Sequence, residues 1–363
     1  MRSMNYMLEI HIQLCTEDQK KEKVPDDKLE FGIKFTDHMF LMKYKEGKWC
    51  NPRIMPYQNF SLDPAAMVLH YGQEIFEGMK AYINQESGSV YIFRPHENAE
   101  RFNESAERMC MPSVNKELFV KAIVELIKID REWVPKLPGT TLYIRPTMIA
   151  TEKALGVHAS KEYYFYIILS PVGPYFSTGF NPTKIYVADK HVRTSIGGTG
   201  EAKTGGNYAS TLYETQLAKE AGYSQVLWLD AKERRYVEEV GAMNIMFVIN
   251  NEIVTPPLDG TILQGVTRKS VMHLAENLGY TVKEESIEIK ILVDQIEKGH
   301  CTEAFGTGTA ASITPVGSLL FKNKEYTING FEVGPITKRL YEELIGIQTG
   351  KREDANNWRM KVI

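Results

Sequence analysis

The sequence predicts an α/β protein of two domains, a smaller α+β domain over residues 1–170 and a larger mixed α/β domain over 183–363, joined by a linker at 171–182. Three observations carry this expectation. The first half alternates apolar runs of strand length with segments of helical period. The run Pro171-Val-Gly-Pro-Tyr-Phe-Ser-Thr-Gly-Phe-Asn-Pro182 is punctuated by Pro and Gly and has neither helical nor alternating period. Beyond it, strand-like runs dominate and are interrupted by two helical stripes.

Taken in order, Val90–Phe93 reads as a strand, and Pro95 opens a helix whose inner face is Ala99, Phe102, Ala106 and Met109. A second helix over Lys116–Ile129 carries Phe119, Ala122, Ile123, Leu126 and Ile127, and apolar strands follow at Thr141–Ile149 and Tyr163–Leu169. After the linker come a strand at Lys184–Ala188, a glycine-rich loop, and a helix with Ala209, Tyr213, Leu217 and Ala221 at steps of four. Strands are expected at Gln225–Leu229, Arg235–Glu239 and Ile245–Ile249. A last helix begins at Val266, has a core stripe of Val271, Leu274, Ala275 and Leu278, and ends at Gly279.

Composition narrows the function. The chain has 363 residues, 43% apolar and 25% charged, which is ordinary for a globular protein with real cores. A net charge of -3 gives no electrostatic footprint for nucleic acid or an anionic membrane. The longest apolar run, Tyr163–Leu169, is too short to span a bilayer, and Met1–Cys15 does not read as a signal peptide. Cys15, Cys50, Cys110 and Cys301 are scattered without Cys/His clustering, so neither a metal site nor a disulfide framework is expected, and a cytoplasmic protein fits.

The segment Ser195-Ile-Gly-Gly-Thr-Gly-Glu-Ala-Lys203-Thr-Gly-Gly-Asn-Tyr208 holds five glycines and one lysine in fourteen residues. Three readings are open. As a nucleotide loop, Gly197, Lys203 and Thr204 fit G-x-x-x-x-G-K-T, but Ala202 stands where the second glycine must let phosphate approach the backbone. As a surface loop, Lys203 is simply solvated. As a Schiff-base lysine, it requires a phosphate cup, a cation and a carboxylate for a ring nitrogen. For the phosphate, the backbone amides at the Val266-Thr267-Arg268 helix start and the Gly/Thr segment Phe305–Ala311 are candidates.

Eight ordered segments carry a resemblance: Phe35-Thr-Asp-His-Met39, Leu69-His-Tyr-Gly-Gln-Glu-Ile-Phe-Glu-Gly-Met-Lys-Ala81, Phe93-Arg-Pro95, Tyr143-Ile-Arg-Pro146, Gly205-Gly-Asn-Tyr208, Glu239-Val-Gly-Ala-Met-Asn244, Leu258-Asp-Gly-Thr-Ile-Leu263 and Phe305-Gly-Thr-Gly-Thr-Ala310. With them the chain resembles the branched-chain amino acid aminotransferases, in the longer branch of the class IV pyridoxal-phosphate aminotransferases. The resemblance implies the two-domain fold type IV, with a barrel-like larger domain that binds pyridoxal 5'-phosphate. It implies transfer of the amino group between L-leucine, L-isoleucine or L-valine and 2-oxoglutarate by a ping-pong mechanism, in a homodimer whose partners are small amino acids and 2-oxo acids.

Residue by residue, the resemblance makes Lys203 the catalytic, cofactor-bearing lysine and Glu239 the carboxylate at the ring nitrogen. Arg94, Val266, Thr267 and Thr309 become phosphate ligands, and Tyr208 the partner of the phenolic oxygen. It implies a substrate pocket lined by Tyr71, Phe76, Tyr143 and Tyr175, with Val157 reaching in from a partner subunit. Arg145 and the Thr309–Ala310 amides become candidates for substrate carboxylates. Two positions depart from relatives. Ala311 and Thr314 stand where some carry a redox Cys-x-x-Cys, and Ala242 replaces a threonine that contacts the substrate carboxylate.

Overall fold

The computed structural model describes residues 9–175 and 179–363. The chain forms two compact units, residues 1–175 with 348–363, and residues 176–347. Residues 176–178 of the expected linker lie outside the described residues.

The first unit contains β1 (His11–Ile12), β2 (His38–Lys45), β3 (Lys48–Pro56), α1 (Met67–Tyr71), β4 (Glu74–Phe76), β5 (Met79–Ile83), β6 (Val90–Phe93), α2 (Pro95–Arg108), α3 (Lys116–Ile129), β7 (Thr141–Ala150) and β8 (Tyr163–Val172). Its sheet runs β1-β3-β2-β8-β7-β5-β6 and then the C-terminal strand Arg359–Lys361, with β4 also on β7. The helices form as the sequence predicts. Pro95 stands in the first turn of α2, Asn115 caps α3 by accepting from the Leu118 amide at 2.8 Å, and the apolar stripes turn to one sheet face. There Phe102, Phe119 and Phe165 pack with ring centroids 5.3 to 5.6 Å apart, each fully buried. Each such ring is worth about 1.5–3 kcal/mol of burial.

The expected second domain runs to residue 363, but its last sixteen residues belong to the first unit. Arg359–Lys361 pairs antiparallel with Phe93–Tyr91 and completes the sheet edge. That pairing spans most of the chain, and no local pattern signals it.

The second unit contains β9 (Thr183–Val187), α4 (Gly205–Ala209), α5 (Leu212–Glu220), β10 (Gln225–Leu229), β11 (Val237–Val240), β12 (Met243–Ile249), β13 (Glu252–Thr255), α6 (Val266–Asn277), β14 (Val282–Glu284), α7 (Ile289–Glu297), β15 (Cys301–Gly308), β16 (Ser312–Phe321), β17 (Lys324–Thr327) and α8 (Pro335–Gln348). The order β11-β10-β9-β16-β15-β12 closes on itself through the β11–β12 pairing, so these strands form a barrel. Ile185, Leu227, Ile245, Phe247 and Leu319 belong to its buried core. α6 ends as expected, with Gly279 at φ +85° as its left-handed terminator.

The single helix expected through Ala209, Tyr213, Leu217 and Ala221 is instead two helices with the opposite phase. Thr211 donates to the Tyr208 carbonyl at 2.6 Å, and Ser210 donates to the Asn207 carbonyl at 3.0 Å and the Arg193 carbonyl at 2.8 Å. Such hydroxyl bonds compete with the helix ladder and break it there. The helix then buries Glu214 and Ala218 and leaves Tyr213 63% exposed.

Candidate active site

In the second unit the lysine loop is held by Asn207. Its amide nitrogen donates to the Thr199 carbonyl at 2.6 Å and the Ala202 carbonyl at 2.8 Å, and its oxygen accepts from the Thr199 hydroxyl at 2.7 Å. Lys203, which follows, donates from Nζ to the Tyr208 hydroxyl at 2.8 Å. The lysine is therefore not simply solvated: its amine is oriented by a phenol. Gly200 is dictated by packing, because a Cβ there would stand 2.7 Å from the Thr261 backbone. Gly200→Ala is expected to destabilise the protein by about 1–3 kcal/mol and to lower turnover, measurable by thermal melting and steady-state rates; an unchanged melting temperature contradicts this packing.

Glu239 and Asn244 face each other across the β11–β12 hairpin, whose turn is Gly241-Ala242, with Gly241 at φ +58°. Asn244 donates to Glu239 at 3.1 Å and to the Leu263 carbonyl at 2.9 Å, and a Cβ on Gly265 would collide with its side-chain oxygen. Asn244 thus ties the carboxylate to the segment that opens α6. Burial pushes the Glu239 carboxyl up, and this outweighs the ion-paired Arg193 guanidinium and Lys203, which pull it down. Arg193, Tyr208, Glu239, Ala242 and Leu263 line one partly open pocket. Next door, burial and the Asp259 charge push Glu238 up to about 7.

Val266 and Thr267 begin α6 and are buried, and the N-cap residue of that helix is Gly265, which brings no side chain to it. Arg268 turns away, donating to the Pro256 carbonyl at 2.9 Å and pairing with Glu284. Thr309 and Ala310 form the half-buried turn between β15 and β16. The glycines before them pack closely: Cβ atoms on Gly306 and Gly308 would stand 2.8 and 3.1 Å from Met243.

In the first unit, Arg94 caps α2 in the left-handed region, at φ +48° and ψ +47°. Its amide donates to the Trp358 carbonyl at 2.7 Å, and its guanidinium lies 4.9 Å from the Trp358 ring and 3.1 Å from Glu97. A strained arginine held this firmly is a functional candidate. Tyr143, Arg145 and Phe76 come together: the Arg145 guanidinium lies 4.6 Å from the Phe76 ring and donates to the Tyr143 hydroxyl at 3.1 Å. Gly78 leaves room for Tyr143, whose Cζ would be 3.0 Å from a Cβ there. Tyr175 joins the cluster through Phe31, whose ring is 4.9 Å from Tyr175 and 5.1 Å from Tyr143. Tyr71 bonds a different segment. Its hydroxyl bonds the Leu155 carbonyl, in the loop where Val157 is 83% exposed.

The sequence reading missed Phe31, Arg193 and the positioning role of Asn244. Asn244 lies within a quoted segment, but Phe31 and Arg193 carry no local motif. Among the described residues no His/Cys/Asp/Glu cluster suits a metal ion.

Residues 74–319 match the family model described as amino-transferase class IV. The chain belongs to the class IV aminotransferase family. A similar protein is the branched-chain-amino-acid aminotransferase 2 of Bacillus subtilis (strain 168), 51% identical with 94% of both chains covered. Among solved structures, the Escherichia coli branched-chain amino acid aminotransferase matches with TM-score 0.75 at 26% identity, covering 90% of this chain and 99% of that one. The branched-chain amino acid aminotransferase of T.th. complexed with N-(5'-phosphopyridoxyl)-L-glutamate matches with TM-score 0.72 at 27% identity, covering 89% of this chain and 98% of that one. The two-unit α/β architecture with its closed sheet is the fold type IV of these aminotransferases.

Proposed function

We infer that this class IV aminotransferase is a branched-chain-amino-acid transaminase, moving an amino group between L-leucine, L-isoleucine or L-valine and 2-oxoglutarate in a ping-pong sequence with pyridoxal 5'-phosphate as cofactor. The observation that carries the chemistry is the Lys203 amine held 2.8 Å from the hydroxyl of Tyr208, which lines the same cavity as buried Glu239. The donor set fits the cofactor: a primary amine for the aldehyde, a buried carboxylate for the ring nitrogen, and a helix start with glycine at its N-cap for the phosphate.

The bound cofactor supplies an aldehyde that captures the substrate amine and a ring that accepts electrons from Cα. With the cofactor bound, the Lys203 amine would take the proton from the substrate Cα and hold it for return. Tyr208 aims the amine. Glu239 keeps the ring nitrogen protonated by its negative charge, and Asn244 fixes that carboxylate in place. Arg94, Val266, Thr267 and Thr309 are proposed to hold the phosphate.

Phe76, Tyr143, Tyr175 and Phe31 are proposed to bind the aliphatic side chain, worth about 1.5–3 kcal/mol of burial. Arg145, held flat against Phe76, and the Ala310 amide are proposed for carboxylates. A homodimer is part of the proposal; the exposed Leu155–Val157 loop, fastened by Tyr71, supports it. Cytoplasmic location is likewise proposed. Among the described residues no helix is long and apolar enough to cross a membrane, and the four cysteines are free. Single half-reactions test the substrate assignment: L-leucine should convert the bound cofactor much faster than D-alanine does, and the reverse order would overturn it.

A further inference from the structure

Arg193 lies ten residues before Lys203, just ahead of the glycine-rich segment, and is only 8% exposed. Its Nη2 donates to the Gly200 carbonyl at 3.2 Å and the Thr261 carbonyl at 2.9 Å, and the same group pairs with Glu239. The two carbonyls belong to the loop that leads into Lys203 and the loop that leads towards α6. They fix the guanidinium from two sides, so the ion pair has one geometry. Around it lie further charges, Glu238 on the same strand as Glu239, Asp259 beyond it, and Lys203 as the other cation near Glu239.

We infer that Arg193 is a positioning residue for the transamination, holding the Glu239 side chain as a carboxylate, in place, for the cofactor ring nitrogen. The inference rests on the proposed role of Glu239. Its physical basis is that a buried carboxyl with no opposite charge takes up a proton instead. A neutral carboxylic acid cannot stabilise a protonated ring nitrogen as an anion does. Lysine replaces the charge but not the planar guanidinium, whose Nη2 reaches Glu239 and the two carbonyls.

A double-mutant cycle on the full-length protein tests this, reading the dissociation constant for pyridoxal 5'-phosphate by equilibrium dialysis. Arg193→Gln should weaken cofactor binding by roughly 10- to 100-fold, the scale of a lost hydrogen bond to a charged group. With cofactor saturating, its kcat should fall while KM for L-leucine changes by less than about 3-fold, because Arg193 is assigned no substrate contact. In the Glu239→Gln background the same substitution should change the dissociation constant by less than about 3-fold. Arg193→Lys should recover part of the affinity. An unchanged dissociation constant in Arg193→Gln, or an equal loss in both backgrounds as a merely structural residue would give, overturns the proposal. Glu239→Gln that binds cofactor as tightly as the wild type overturns the role of Glu239 itself, a distinct outcome. If Arg193→Gln does not fold, Arg193→Lys is taken through the same cycle with the same sign and a smaller amplitude.

Discussion

Lys203→Ala protein should purify without the visible absorption of the bound cofactor and should turn over L-leucine with 2-oxoglutarate roughly 10³-fold more slowly or worse. Two functions are lost together, the covalent tether and the proton carrier, and the neighbouring hydroxyl cannot supply either. Tyr208 accepts a hydrogen bond from Nζ at 2.8 Å, but its phenol has neither the reach nor the nucleophilicity of a primary amine. The fold should persist, since the loop is fastened by the Asn207 bonds to Thr199 and Ala202, which the substitution leaves in place. A small primary amine added to the solution should restore a fraction of the proton transfer. A coloured Lys203→Ala protein with near wild-type turnover would remove Lys203 from the mechanism.

Arg101→Met should destabilise the protein by about 3–5 kcal/mol, the cost of stripping a buried ion of its partner. Glu77 is fully buried, yet carries a carboxylate that accepts from Arg101 Nε at 2.7 Å and Nη2 at 2.8 Å. The Asn98 side chain at 2.8 Å and the Gly78 amide at 3.1 Å complete its shell. The pair clamps α2 to the turn between β4 and β5. One side of that clamp is the helix that Arg94 caps; the other holds Phe76 and Gly78 beside Arg145 and Tyr143. At the scale expected for a unit of this size, the melting temperature should fall by roughly 6–20 °C. Removing both charges, as Glu77→Gln with Arg101→Met, should recover part of the loss, because an uncompensated charge costs more than an absent pair. A single-variant loss below about 1 kcal/mol would mean that the pair does not carry the clamp.

Much of this fold is legible because its elements announce themselves locally. α3 begins and ends where its stripe and Asn115 cap place it, and Val90–Phe93 is a strand with Pro95 opening the next helix. The phase of α5 is not legible, because a period of four fits two phases and the hydroxyls of Ser210 and Thr211 select between them. The return of Arg359–Lys361 to the first unit is a long-range pairing with no local trace.

The site divides in the same way. Lys203, Tyr208, Glu239 and the start of α6 sit in recognisable segments and can be picked out as candidates from the sequence; of these, Tyr208 and Glu239 line one pocket, and Lys203 bonds Tyr208. Arg193 and Phe31 act through contacts with segments far away in sequence, and neither neighbourhood has a composition that marks it. Glu77 stands inside a recognisable segment with no role attached to it. A charged residue between Phe76 and Gly78 reads as exposed until Arg101 is seen to reach it.

The central claim, that Lys203 carries a cofactor used to transaminate branched-chain substrates, is tested most directly by one absorbance spectrum of the purified protein titrated with L-leucine. The visible cofactor band should be present at the start, convert to a near-ultraviolet band as L-leucine is added, and return when 2-oxoglutarate follows. A protein that takes up pyridoxal 5'-phosphate yet shows a band unmoved by L-leucine would contradict the account.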